Sequence, residues 1–104
     1  MDKKIGLNLD EISKIQNIFL KHFAVKKVVI YGSRARGDNK KYSDVDLCII
    51  HHKPIEIIII SQIKEDLDNI QIPYFVHVIE FVNIKNEKLK NNIINEGIYI
   101  LDLN

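Results

Sequence analysis

Apolar residues recur at three- and four-residue steps through Leu9, Ile12, Ile15, Phe19 and Phe23, the period of an amphipathic helix that buries one face. Asn8 ahead of this stripe, with Asp10 and Glu11 in the first turn, is a helix-start pattern. Val28 to Tyr31 is a short, almost wholly apolar run, which predicts a strand covered on both faces. Gly32-Ser33 ends it. A brief helical turn through Arg34-Ala35-Arg36 is expected, closed by Gly37, and a polar loop runs from Asp38 to Ser43. Val45 to Ile50 is predicted as a second strand, broken by His51-His52-Lys53-Pro54.

Ile55 to Ile70 is ambiguous at its start, because Ile-Glu-Ile-Ile-Ile-Ile has strand propensity. Ile55, Ile59, Ile63, Leu67 and Ile70 also form a helical stripe, and the length of the segment favours a helix. Pro73 opens a third strand, Tyr74 to Phe81. After a turn at Asn83 to Asn86, Glu87 to Glu96 is predicted as a helix with Leu89, Ile93 and Ile94 inward. Gly97 is expected as its left-handed stop, and Ile98 to Leu101 as a last strand. With no repeat and no linker, the pattern describes a single small domain over residues 1–104, of α/β (α+β) class, in which helices flank a mixed central sheet.

Composition narrows the function classes. The chain has 104 residues, 28% charged and 46% apolar, with a formal charge of +1, so nothing draws it as a whole toward nucleic acid or membrane. Lys26-Lys27 and Lys40-Lys41 are expected as a solvated rim, with attraction of a phosphate tail as the alternative. No aromatic platform accompanies them, so there is no strong nucleic-acid signal. The single cysteine, Cys48, lies in an apolar run; it excludes an internal disulfide and a cysteine-based zinc site, and suits a reducing compartment. Asp2, Lys3 and Lys4 stand where a leader would need apolar residues, and the run Ile57 to Ile60 is far too short to span a bilayer. A soluble, cytoplasmic protein is expected, with no membrane partner; homo-oligomerisation is left open.

The chemistry concentrates between Tyr31 and Leu47. On a strand, Asp44 and Asp46 share a face. Paired carboxylates repel each other and resist burial, and a divalent cation relieves both problems; Mg²⁺ takes oxygen ligands from one or two carboxylates plus substrate phosphates. The Gly32-Ser33 bend offers backbone N–H groups and a hydroxyl where a phosphate can approach without meeting a Cβ. A cation holder beside a phosphate cradle makes a nucleotide site.

Gly32-Ser33, ten residues, then Asp44-x-Asp46 resembles the active-site motif of the nucleotidyltransferase superfamily with the DNA-polymerase-β-like fold. The forms Gly-Ser-Arg-Ala-Arg-Gly and Ser-Asp-Val-Asp-Leu are similar to those of its minimal nucleotidyltransferases. The resemblance implies transfer of AMP from ATP to a hydroxyl, with pyrophosphate leaving. It places Gly32 and Ser33 at the triphosphate and Asp44 and Asp46 on Mg²⁺. Arg34 and Arg36 are expected as forked phosphate ligands, with solvent exposure or a salt bridge to Asp38 as the alternative. It further implies a partner, a small helical HEPN-type protein, often a toxin, adenylylated on a tyrosine by its antitoxin.

One position departs from the family pattern. Where active members carry a third carboxylate, Phe75-Val76-His77-Val78-Ile79-Glu80 presents His77. Glu80, an odd number of residues away, is expected to point to the other face. His77 reads in three ways: a working base or ligand, with Mn²⁺ as an alternative metal; the mark of a site that binds nucleotide without transferring it; or an ordinary strand histidine. The corresponding functions are an AMP transferase acting on its partner, or a module that neutralises the partner by binding alone. Small-molecule modification lacks a substrate-binding extension here. His22, His51 and His52 are expected at the solvent.

Overall fold

The computed structural model describes residues 5–103. Asn8 starts the first helix, α1 (Leu9–Leu20), with a reciprocal cap. Its Oδ1 accepts from the Glu11 N–H at 2.8 Å, and Glu11 Oε1 accepts from the Asn8 N–H at 3.0 Å, satisfying two otherwise orphaned donors. The helix stops at Leu20, three residues short of the end of the expected stripe. Turn hydrogen bonds from the His22 N–H to the Phe19 carbonyl and from the Val25 N–H to the His22 carbonyl redirect the chain. Val25 is therefore buried, and Phe23, expected inward, is 88% exposed.

The remaining elements are β1 (Lys27–Tyr31), the one-turn helix α2 (Ser33–Arg36), β2 (Val45–Ile49), α3 (Ile57–Asp68), β3 (Val76–Glu80), α4 (Glu87–Glu96) and β4 (Ile98–Asp102). The ambiguous isoleucine run is helical, as its length argued: Ile63 and Leu67 are buried, and Ile59 and Ile70 pack beside them. Ile57 and Ile58, off that stripe, stay exposed. On α4 only Ile93 is buried; Ile94, expected inward, faces solvent. Gly97 ends α4 in extended backbone rather than the expected left-handed turn, and a side chain there would run into the Ile93 carbonyl oxygen.

Four strands form one mixed sheet in the order β3-β2-β1-β4. β1 is antiparallel to β2 and β4, whereas β2 and β3 run parallel. Alternation along the strands divides the side chains between two layers. Val28, Ile30, Val45, Leu47 and Ile49 join Ile12, Ile15 and Phe19 of α1 and Ile63 and Leu67 of α3 in the main core. Each fully buried aliphatic side chain contributes about 1.5–3 kcal/mol, so this layer holds the fold. The opposite layer is thin, built on Val29, Cys48 and Ile93. No helix of the described residues is long and apolar enough to cross a membrane.

Candidate active site

Beyond the thin layer, the same sheet face carries a row of three polar side chains. Tyr31 pairs with Asp46 across the β1–β2 ladder, and Asp46 pairs with His77 across the β2–β3 ladder. Immediately after Tyr31, Gly32 adopts φ 76° and ψ −150°, a region essentially confined to glycine. Its conformation turns the chain so tightly past β2 that a Cβ at this position would lie 3.0 Å from Asp46 Oδ2. Ser33 follows as the first residue of α2, which Gly37 closes with φ 84°. The glycine-serine bend and the strand aspartate are thus direct neighbours.

Asp44 lies just ahead of β2 and is exposed. Its Oδ2 is 3.1 Å from Nε2 of His77. An ionised carboxylate only accepts hydrogen bonds, so this contact requires the imidazole proton on Nε2. Asp44, Asp46 and His77 therefore converge. Asp46 feels the convergence: burial raises its pKa, the charge of Asp44 raises it further, and His77 and Arg34 pull the other way. The Tyr31 phenol is pushed up to about 12, mainly by burial and then by the charge of Asp46. Burial, with a smaller effect of Glu80, lifts the Cys48 thiol to about 12, so it stays protonated.

Arg34 is not where the sequence suggested. Its side chain is 1% exposed. Nη1 donates to the carbonyls of Ile5 at 3.0 Å and Gly6 at 3.1 Å, and Nε and Nη2 donate to the Ser43 carbonyl at 3.2 and 2.7 Å. The guanidinium also stacks on Tyr74, 4.3 Å from the ring centre. With these donors engaged in the interior, Arg34 is not available to grip a phosphate. Arg36 is exposed and pairs with Asp38 at 3.2 Å and Glu96 at 3.8 Å. Glu80 turns away from His77, accepting from the Ile55 N–H at 2.7 Å and from Asn83 Nδ2 at 3.1 Å.

His52 is exposed, His51 folds onto the Lys53 backbone, and His22 is half-buried with an unpartnered Nε2. Tyr31, Ser43 and Tyr74 are the contributors that the sequence left unmarked. Tyr31 alone carried a signal, its place directly before Gly32.

The donor chemistry suits a hard divalent cation. Two aspartates meet at one place, and burial together with the charge of Asp44 raises the cost of charging Asp46, a penalty that a cation removes. Among the described residues no three His, Cys, Asp or Glu side chains group closely enough to cage a metal by themselves. Asp44 and Asp46 fit Mg²⁺ as a pair of ligands whose set water or substrate phosphates would complete.

Comparison with known proteins gives this arrangement a family. The chain matches the family described as "Polymerase beta, Nucleotidyltransferase" over residues 13–104. A Methanocaldococcus jannaschii protein named "Putative protein adenylyltransferase MJ0435" is 32% identical over 96 residues, spanning 91% of this chain and 100% of its own length. The Haemophilus influenzae "Probable protein adenylyltransferase MntA" is 25% identical over 84 residues, 81% of this chain and 74% of its own. Among solved structures, a toxin–antitoxin complex with AMP-PNP is similar at a TM-score of 0.70 and 14% identity, covering 88% of this chain and 73% of that one. A complex of tri-AMPylated Shewanella oneidensis HEPN toxin with MNT antitoxin is similar at a TM-score of 0.65 and 12% identity, covering 88% and 70%. At such identities these two show a shared fold. The match over nearly the whole sequence, together with a glycine bend seated on a strand aspartate, makes this chain a member of the polymerase β nucleotidyltransferase family.

Proposed function

We propose that this chain transfers AMP from Mg-ATP to a hydroxyl of a protein partner, a tyrosine on a small helical HEPN-type protein, and so acts as the antitoxin of a pair in the cytoplasm. The observation that carries the proposal is the close approach of Gly32 to Asp46, which sets the glycine-serine bend directly beside the carboxylate pair. Relatives named as protein adenylyltransferases, and similar folds seen in toxin–antitoxin complexes, support the same reading.

In this proposal Asp44 and Asp46 hold the cation, which when bound neutralises phosphate charge and eases the departure of pyrophosphate. Gly32 and Ser33 present N–H groups and a hydroxyl to the triphosphate, and Arg36, held only by weak surface pairs, is the arginine left to swing onto it. The acceptor oxygen bonds to the α-phosphorus as the bond to pyrophosphate breaks, and the acceptor proton must leave. With Nε2 of His77 donating to Asp44, Nδ1 is the ring nitrogen left to take that proton.

The same contact favours a second reading. His77 takes the place of a third acidic ligand and engages Asp44, which describes a module that binds nucleotide and silences its partner by occupancy. Incubation with labelled ATP, Mg²⁺ and a HEPN-type partner separates the two. Label on the partner, abolished by Asp44→Asn, is the expected result. A stable complex that stays unlabelled, and that Asp44→Asn leaves intact, would establish occupancy instead.

A further inference from the structure

Arg34 is the one charged side chain in the buried set among the described residues, and its partners come from three separate stretches of chain. Ile5 and Gly6 belong to the segment before α1, Ser43 is the last residue before Asp44, and Tyr74 leads into β3 and His77. The accommodation is built into both sides. Gly6 has φ 71°, and a Cβ there would lie 2.8 Å from Arg34 Nη1, so only glycine leaves room for the guanidinium. The backbone of Arg34 belongs to α2, one residue after Ser33.

From this geometry we infer that Arg34 is a positioning residue, fixing the spacing between the Gly32-Ser33 bend and Asp44. One end of the side chain is anchored in the helical turn that begins with Ser33. Its other end grips the carbonyl immediately before Asp44 through two N–H groups, a forked grip that a lysine ammonium cannot reproduce. The stack on Tyr74 ties in the approach to β3, so His77 is registered against Asp44 by the same cluster. A buried guanidinium satisfied by neutral carbonyls is costly as a stability device alone; its cost is understandable if it sets the two halves of a site.

The test compares the full wild-type chain with Arg34→Lys, using Mg-ATP as the probe. The first readout is Mg-ATP affinity by calorimetry, and the second is the ¹⁵N chemical shift of His77 Nε2, which reports its bond to Asp44. Arg34→Lys should fold with a lower melting temperature, bind Mg-ATP roughly 10- to 100-fold more weakly, and move the Nε2 resonance toward that of free imidazole. In an Asp44→Asn background it should weaken Mg-ATP no further, because both changes act through one group. A folded Arg34→Lys with unchanged affinity and an unchanged Nε2 resonance would overturn the inference. Should that variant not fold, Tyr74→Leu removes the stack from the outer side of the guanidinium; smaller shifts in both readouts support the inference, and none in either rejects it. The affinity arm rests on the proposed nucleotide role, whereas the Nε2 resonance does not. A wild-type chain that ignores Mg-ATP therefore rejects that role and leaves the resonance to decide on Arg34.

Discussion

Gly32 and Asp46 are in contact, and the contact exists because Gly32 lacks a side chain: a Cβ would stand 3.0 Å from the Asp46 Oδ2. The φ of 76° at Gly32 adds a second obstacle to any other residue. Gly32→Ala is expected to cost about 1–3 kcal/mol of stability and to weaken nucleotide binding beyond that loss, since the methyl crowds the Asp46 carboxylate. Thermal melts with and without Mg-ATP check both. A variant with a lowered melting temperature but a normal Mg-ATP stabilisation would mean that the bend is structural only.

Asp46 is held above its ordinary value of 3.8, chiefly by burial. An acid whose folded-state pKa is raised binds its proton more tightly when folded, so stability falls as pH rises through the window above the ordinary carboxylate value and stays reduced at neutrality. Asp46→Asn should therefore raise the melting temperature at pH 7 in the absence of divalent cations, by a few degrees. The gain should vanish in acid, and Mg²⁺ should stabilise the wild type but not the variant. Melting curves at several pH values, with chelator or Mg²⁺, measure all three.

His77 separates transfer from occupancy. If it takes the acceptor proton, His77→Ala should lower kcat for AMP incorporation by roughly 10²-fold or more, with KM for ATP little changed. His77→Asp supplies a third carboxylate and should tighten Mg²⁺ binding. Incorporation that is absent from the natural chain and appears only in His77→Asp would assign the natural protein to occupancy.

Cys48 is fully buried, and its thiol is lifted to about 12, so thiol reagents should leave the native protein unmodified and label it only on unfolding. Cys48→Ser buries a hydroxyl among Val29, Ile93 and their neighbours, at a cost of about 1–3 kcal/mol. Rates of AMP incorporation should not change at a temperature where the variant stays folded. A fast-reacting thiol in the folded chain would contradict the packing of this layer.

The elements were legible wherever local period and burial agree. The isoleucine stripe at 59, 63, 67 and 70 marks α3 because its spacing and its inward face coincide. Phe23 and Ile94 were misleading for one reason: each continues a helical stripe past the point where packing supports it, at a redirected chain in one case and at the thin layer in the other. The aspartates and the glycine bend were legible because their chemistry is local, fixed by spacing within one hairpin-like unit. The role of Arg34 was not. Its partners Ile5, Gly6, Ser43 and Tyr74 are brought together only by the folded chain, and nothing in a Gly-Ser-Arg string distinguishes an arginine turned inward from one facing a phosphate.

The strain on Asp46 also speaks to history. A chain released from nucleotide chemistry would drift toward whatever residues make the fold more stable, and neutralising Asp46 is a single substitution expected to do so. Asp46 is nonetheless retained, half-buried and made harder to charge by its burial and by the neighbouring Asp44. Such a thermodynamic burden is the expected companion of a charge kept for binding, as the proposed cation site requires.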